Sequence, residues 1–593
     1  MRRHLLPALL ILVVVVTAAT FSGVLSADFV AWDDDLEVYN NPHLSGLGMR
    51  SLHWMFLETG YVVRYQPLSW FTWNLIYGFF GLRPWAFHAG SLLFHSLNAA
   101  LVLVLIRQLL GKTFSLGDDA RGKELATCCA AAGALLWALH PLRVEAVAWV
   151  SAFLHCQALF FLLLAAIAYL ASAEKAPPAR QRCLYALSVI SFLASLLSYP
   201  IGIGFVFVPI LLDLFILRRL SLSPSSWFKP EARRIILGKL PFFAAAMLVL
   251  GITLILRYHA AANWPKPPPL QQFGLFARAM QACFMWTCYL GRTLLPVDLA
   301  PVYTTLLDFN PSGLPFLASA ALVLLLTALC LTPAGRRHPA LVAAWLCHLT
   351  LMVPVLGLTE RPHFPSDRYS LLCAVVFSCV AAGGLLVWCQ RAAKPAVPLL
   401  CSASLAAACA SLTASQTQVW HNSVTLFTHT IRTLGDHPYR FDIYARLGLA
   451  LMQRGELEPA AQALSTAVTG DPGHLPAQQN LAETYFQLNQ WDRAEAQYRL
   501  LAKLRPTDSD VFNSLGIVQA TLGNLAAATA SFTDAVRLDP RSITAHSNLG
   551  RALQQQGKTN AAQSEFAAAD ALKRAPVEPA SLPAAKPKPG EPH

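Results

Sequence analysis

Residues 507–540 read TDSDVFNSLGIVQATLGNLAAATASFTDAVRLDP, and they decide the architecture of the C-terminal third of the chain. The closing Pro540 has counterparts at Pro438, Pro472 and Pro506, so the same residue returns every 34 positions, the period of the tetratricopeptide repeat. Small and aromatic residues recur where two antiparallel helices must touch. They are Leu447-Gly448, Ala460 and Ala467 in the first unit, and Leu481-Ala482, Tyr485, Ala494 and Tyr498 in the second. Leu515-Gly516, Ala528, Phe532 and Ala535 continue the series, and Leu549-Gly550, Ala562, Phe566 and Ala569 complete it. The glycine or alanine lets the two helices approach closely, and the proline ends the second helix because it has no backbone N–H to donate. The pattern predicts four repeats over 441–574, led by a linker and degenerate helix over 416–440 that carries Trp420 and Phe427. The Pro-, Ala- and Lys-rich tail over 575–593 has the composition of a disordered segment. Such an array offers a concave groove for a protein or peptide partner; the alternative is a spacer or dimerisation device.

The rest of the chain has a different composition. Over its 593 residues the protein is 55% hydrophobic and only 13% charged, where a soluble protein carries about 25% charge. That excludes an ordinary soluble enzyme. At roughly 20 apolar residues per crossing, the uncharged runs before residue 416 predict about eleven to twelve membrane spans. The fold class expected is therefore all-α: a polytopic helical membrane domain over 1–415, followed by the tetratricopeptide α-solenoid. The net charge of +12 falls largely in short loops, where it sets topology. Without a Rossmann, Walker or nucleic-acid motif, nucleic acid is not an expected partner. All 13 cysteines, from Cys128 to Cys409, lie in or beside apolar runs, which speaks against a disulfide framework or a zinc site.

Met1-Arg2-Arg3-His4 precedes an apolar stretch over 5–26 with no small-residue cleavage site after it, so it reads as an uncleaved first span with its basic end in the cytoplasm. Arg107, Lys112, Arg121 and Lys123 then mark the inside, as do Lys175, Arg180 and Arg182, and as does the run from Arg218 to Lys239. These anchors put a large outside loop over 27–85 and place Asp33, His140, Tyr199, His259 and Asp367 outside. Residues 276–294 break the alternation and are read as re-entrant, or as hiding an extra short span with their neighbours. The count then becomes eleven, with the C-terminus outside.

The polar residues that could do chemistry collect in those outside segments. Trp32-Asp33-Asp34-Asp35-Leu36-Glu37 puts three adjacent carboxylates just after the first span. Mutual repulsion there raises at least one pKa, which suits a group that must accept a proton; the bland alternative is a solvated acidic turn. His140, Arg143 and Glu145 lie in a later outside loop, and Glu360-Arg361 with Asp367-Arg368-Tyr369 in another. Together they set carboxylates beside cations able to hold a lipid phosphate at the bilayer surface. His88, His95 and Asn98 share one helix face; they read as helix-pairing residues, with metal binding the alternative. No metal and no other cofactor is expected.

At these residues the chain resembles the GT-C glycosyltransferases with a tetratricopeptide tail, including the transmembrane and TPR repeat-containing O-mannosyltransferases and their bacterial relatives. The resemblance is carried by Phe29-Val30-Ala31-Trp32-Asp33-Asp34, Asn41-Pro42-His43 and Pro67-Leu68-Ser69-Trp70. It continues through His88 to His95-Ser96-Leu97-Asn98 and through Ala138 to Trp149 around His140-Pro141-Leu142-Arg143-Val144-Glu145. Leu211-Leu212-Asp213, Pro296 with Leu299 and Tyr303, and Asp367-Arg368-Tyr369 complete it.

The resemblance implies transfer of a sugar, with inversion, from a polyprenyl-phosphate donor to a hydroxyl acceptor on the extracytoplasmic face. It implies catalytic roles for Asp33 and Asp34, one as general base and the other positioning it. Arg368, with Arg361, would bind the donor phosphate, and Asp35, His140, Arg143, Glu145, Asp367 and Tyr369 would border the site. The chain also departs from the family's pattern: Ser151-Ala152-Phe153-Leu154-His155 stands where a charged Arg and Asp are usual, Tyr199-Pro200 where a Lys is usual, and Gln66 where an Arg or His is usual. These losses keep open a catalytically inactive scaffold for envelope protein complexes as the alternative function. No Asn-X-Ser/Thr acceptor with X other than proline occurs in the chain, which, with its Ala-rich composition, favours a bacterial inner membrane, with the repeats extracytoplasmic, over the endoplasmic reticulum.

Overall fold

The computed structural model describes residues 4–57, 61, 65–114, 116, 120–259, 269–358 and 363–574. Arg361 and the tail over 575–593 lie outside the described residues. The described chain is helical throughout, with no strand, and divides into two compact units, Met1–Leu426 and Phe427–His593.

The second unit holds four helix pairs, from Arg440–Gln453 with Leu457–Gly470 to Ile543–Gln555 with Thr559–Arg574. Each pair turns on a residue in the left-handed region, Gly455, Asn489, Gly523 and Gly557, again 34 apart. Glycine or asparagine occupies that position because neither is strongly penalised there. The helix contacts explain the small residues: a Cβ on Gly516 would lie 2.6 Å from the Phe532 ring, and one on Gly448 would lie 2.4 Å from Leu464. Ala482, Ala494, Leu501 and Leu515 are buried in the seam between neighbouring repeats.

Among the described residues of the first unit, seven helices are long and apolar enough to cross a membrane: Pro84–Thr113, Val150–Ser172, Pro178–Ser198, Pro230–Leu256, Leu314–Leu331, Asp367–Arg391 and Ala396–Val419. Ala120–Ala138 with Pro141–Ala148 makes an eighth if this pair, bent by 59°, is one span. The expected eleven to twelve are too many. Leu5–Thr20, Pro200–Ile216 and Pro339–Leu351 are apolar but short, and at 1.5 Å per residue none reaches the roughly 30 Å of a hydrocarbon core. Residues 276–294 are not re-entrant: Leu275–Leu294 is one continuous helix that is not among those apolar enough to span. The region expected as an outside loop over 27–85 holds two further helices, Met49–Leu57 and Pro67–Phe80, whose Trp54, Trp70 and Trp73 pack in one core with Phe87 and Phe153.

Polar residues inside this unit tie helices together. His95 Nε2 lies 3.0 Å from the Ala138 carbonyl oxygen, and Asn98 donates to the Cys156 carbonyl at 2.8 Å. Asp213 is fully buried yet paired with Arg219 and Lys239, and accepts from the Tyr169 hydroxyl, so its burial costs no unpaired charge.

Candidate functional site

The acidic stretch after the first helix forms a turn in which Asp34, Glu37, Val38 and Asn41 face inward, each less than one-tenth exposed. This i, i+3, i+4, i+7 spacing is one face of a helix. Asp33 and Asp35 fall off that face and are half-buried. The two aspartates read as a catalytic pair therefore occupy different environments.

Asp34 is fully buried. Its Oδ2 accepts from Val30 N–H at 2.9 Å, and its Oδ1 accepts from Ser151 N–H at 2.9 Å and from the Ser151 hydroxyl at 2.5 Å. Burial pushes its carboxyl up to about 7; the Ser151 hydroxyl and the two N–H groups pull the other way, and the neighbouring Asp33 charge adds to the rise. Ser151, noted in the sequence only as the start of a stretch that lacks the usual charged residues, is the partner that fixes Asp34. Gln66, a second departure, donates its amide toward Glu37 at 3.5 Å.

Seven residues before that serine's neighbour Ala152, Glu145 begins a second set of contacts. Glu145 is 2% exposed and binds the Arg368 guanidinium and the Ser366 hydroxyl, and accepts from Arg368 N–H at 3.2 Å. The Arg368 guanidinium also lies 4.7 Å from the Trp149 ring centroid and 4.9 Å from that of Tyr369. The stretch from Val144 to Ala152 therefore touches Arg368 through Glu145 and Trp149, and Asp34 through Ser151. Two residues of chain span at most about 7 Å, so the Asp34 carboxyl and the Arg368 guanidinium lie within about 20 Å of each other.

Asp367 accepts from the Tyr303 hydroxyl at 2.7 Å and sits 3.6 Å from Arg292. Arg143 is fully buried and donates to the Ser370 hydroxyl at 2.9 Å. His140 Nε2 lies 3.0 Å from the Thr293 carbonyl oxygen, and Tyr369 stacks on His363. His155 joins Tyr199 to Tyr369, with ring centroids 4.7 and 6.4 Å away. Of the residues expected at the site, Asp34, Arg143, Glu145, Asp367, Arg368 and Tyr369 are thus brought into one connected region. His140 sits at its edge, while Asp33 and Asp35 flank Asp34 in the chain. Sequence reasoning missed Arg292 and Ser366; Trp149 and Tyr303 carried the family resemblance, and Ser151 was noted as a departure from it, without being assigned to the site. Among the described residues no group of three or more His, Cys, Asp or Glu side chains could hold a metal ion.

Residues 451–515 match the tetratricopeptide repeat family. This part of the chain carries tetratricopeptide repeats. Superkiller protein 3 of Schizosaccharomyces pombe is 26% identical over 155 residues, which is 25% of this chain and 11% of that protein. The chain thus spans about a tenth of the length of the curated relative it matches. Among solved structures, MamA RS-1 ArsTM double mutant is 20% identical with a TM-score of 0.25, over 26% of this chain and 84% of that one. MamA 41-end from Desulfovibrio magneticus RS-1 is 19% identical with a TM-score of 0.25, over 26% and 86%. Stacked repeats present extended surfaces to other proteins, so the second unit is a protein-interaction region.

Proposed function

We propose that the chain is a membrane glycosyltransferase that moves a sugar from a polyprenyl-phosphate donor to a protein hydroxyl, with the repeats recruiting the acceptor. The observation that supports this most is the stretch from Val144 to Ala152, which holds Asp34 by Ser151 and Arg368 by Glu145 and Trp149. In this reading Asp33, the more accessible aspartate, is the general base, and Asp34 is the anchor that positions it. The acceptor oxygen attacks the sugar's anomeric carbon as the carbon–oxygen bond to phosphate breaks. The hydroxyl proton passes to Asp33, and the charge left on the polyprenyl phosphate is met by Arg368. The site would face the extracytoplasmic side of a bacterial inner membrane, with the array on the same side.

A second reading, an inactive scaffold, draws on a specific feature: the Asp34 oxygens already accept three hydrogen bonds and Arg368 is already paired with Glu145. Incubating purified protein with a labelled polyprenyl-phosphate sugar and candidate acceptor proteins separates the two. Transfer that disappears in Asp33→Asn while partner capture persists supports the enzyme; capture without transfer supports the scaffold.

A further inference from the structure

We infer that Arg292 is a second phosphate-binding cation of this site, gripping a lipid-linked phosphate across Asp367 from Arg368. The inference rests on the proposed function and adds a residue that neither the sequence motifs nor the family resemblance assigned. Arg292 lies in the last turn of helix Leu275–Leu294. Tyr289, one turn earlier on the same face, bolts this helix to the loop before Asp367: its hydroxyl donates to the Ser366 carbonyl at 2.8 Å and accepts from Ser366 N–H at 3.1 Å. His140 holds the carbonyl of the next residue, Thr293. Arg292 is therefore placed by rigid neighbours at the Asp367-Arg368 turn.

Its guanidinium is held in position but not fully bonded. It stacks on Tyr303, 3.3 Å from the ring centroid. The Tyr303 hydroxyl takes Asp367 Oδ1 at 2.7 Å, which leaves Arg292 Nη1 at 3.6 Å from that oxygen and without a hydrogen-bond partner. The charges around it do not balance: Arg143, Arg292 and Arg368 bring three positive charges, while Glu145 and Asp367 bring at most two negative ones. Arg143 is sealed in, with no exposed surface. Arg292 and Arg368 each keep 17% of the side chain exposed, while the unbonded Nη1 of Arg292 is itself buried. A phosphate oxygen between two planar guanidinium groups satisfies both donors and the missing charge.

Calorimetric titration of the full chain in detergent with farnesyl phosphate tests this. Arg292→Gln should weaken binding roughly ten- to a hundredfold, the usual cost of one hydrogen bond to a charged group, and Arg292→Lys should recover part of it. Arg391→Gln, exposed at the other end of helix Ser370–Arg391, should bind as the unaltered protein does, and inorganic phosphate should not displace the probe. If Arg292→Gln and Arg292→Lys both bind farnesyl phosphate as tightly as the unaltered protein while Arg368→Gln loses it, the inference falls and the proposed function stands. No binding by the unaltered protein overturns both, and equal competition by inorganic phosphate overturns the lipid-linked identity of the ligand.

Discussion

Replacing Asp34 by Asn should destabilise the protein at about pH 5 and do so much less, or not at all, at about pH 8. At the lower pH the buried carboxyl is largely protonated, so the two side chains carry the same charge. The amide can keep its oxygen toward Ser151, but its nitrogen then faces Val30 N–H, donor against donor. An orphaned buried donor costs about 1–3 kcal/mol. At the higher pH the aspartate must ionise in a site that holds its pKa at about 7 instead of the ordinary 3.8. A carboxyl whose pKa is raised on folding binds its proton more tightly in the folded state. Its contribution to stability therefore falls as pH rises from about 4 to about 7 and is level beyond. At 1.36 kcal/mol per pKa unit the ceiling is about 4 kcal/mol, and relaxation of a real site brings it to the order of 1–3 kcal/mol. The amide carries no such slope. Thermal unfolding in detergent, followed at a fixed heating rate by reaction of buried cysteines such as Cys156 and Cys373 with a fluorogenic maleimide, measures the difference across pH. A variant whose deficit is the same at both pH values, or grows with pH, would refute the burial of Asp34 as described.

Glu145→Gln should cost about 3–5 kcal/mol, because it leaves the Arg368 guanidinium without its counter-charge in a mostly buried site; the melting temperature in the same cysteine assay checks it. Gly516→Val should weaken the repeat array by about 1–3 kcal/mol through collision with Phe532, seen as faster proteolysis of the C-terminal unit while the membrane unit melts unchanged.

The repeat array was legible because its signal is local and periodic. Leu515-Gly516 and Phe532 lie on paired helices only 16 residues apart, and four copies reinforce one another. Hydropathy found the long helices but overcounted spans, since it cannot see where an apolar run is too short or is broken. Residues 200–216, apolar but for Asp213, fold as 3₁₀, α and π turns in succession. The inward face of the acidic turn was present in the spacing of Asp34, Glu37, Val38 and Asn41. Its partner was not: Ser151 is 117 residues away, and nothing in a serine's neighbours announces what its hydroxyl will bind. Arg292 was hidden for the opposite reason, as one of two arginines, with Arg278, in a segment read for its apolarity.

That the joined Asp34 and Arg368 region is a glycosyl-transfer site is tested most directly by transfer of labelled sugar. Purified protein supplied with a labelled polyprenyl-phosphate sugar and an acceptor protein should transfer label, and Asp33→Asn should lower the rate about 10²- to 10⁴-fold, the usual worth of a general base, with unchanged melting behaviour. Transfer that persists at full rate in Asp33→Asn, or its absence from a folded, acceptor-binding protein across the polyprenyl-linked sugars tried, would contradict it.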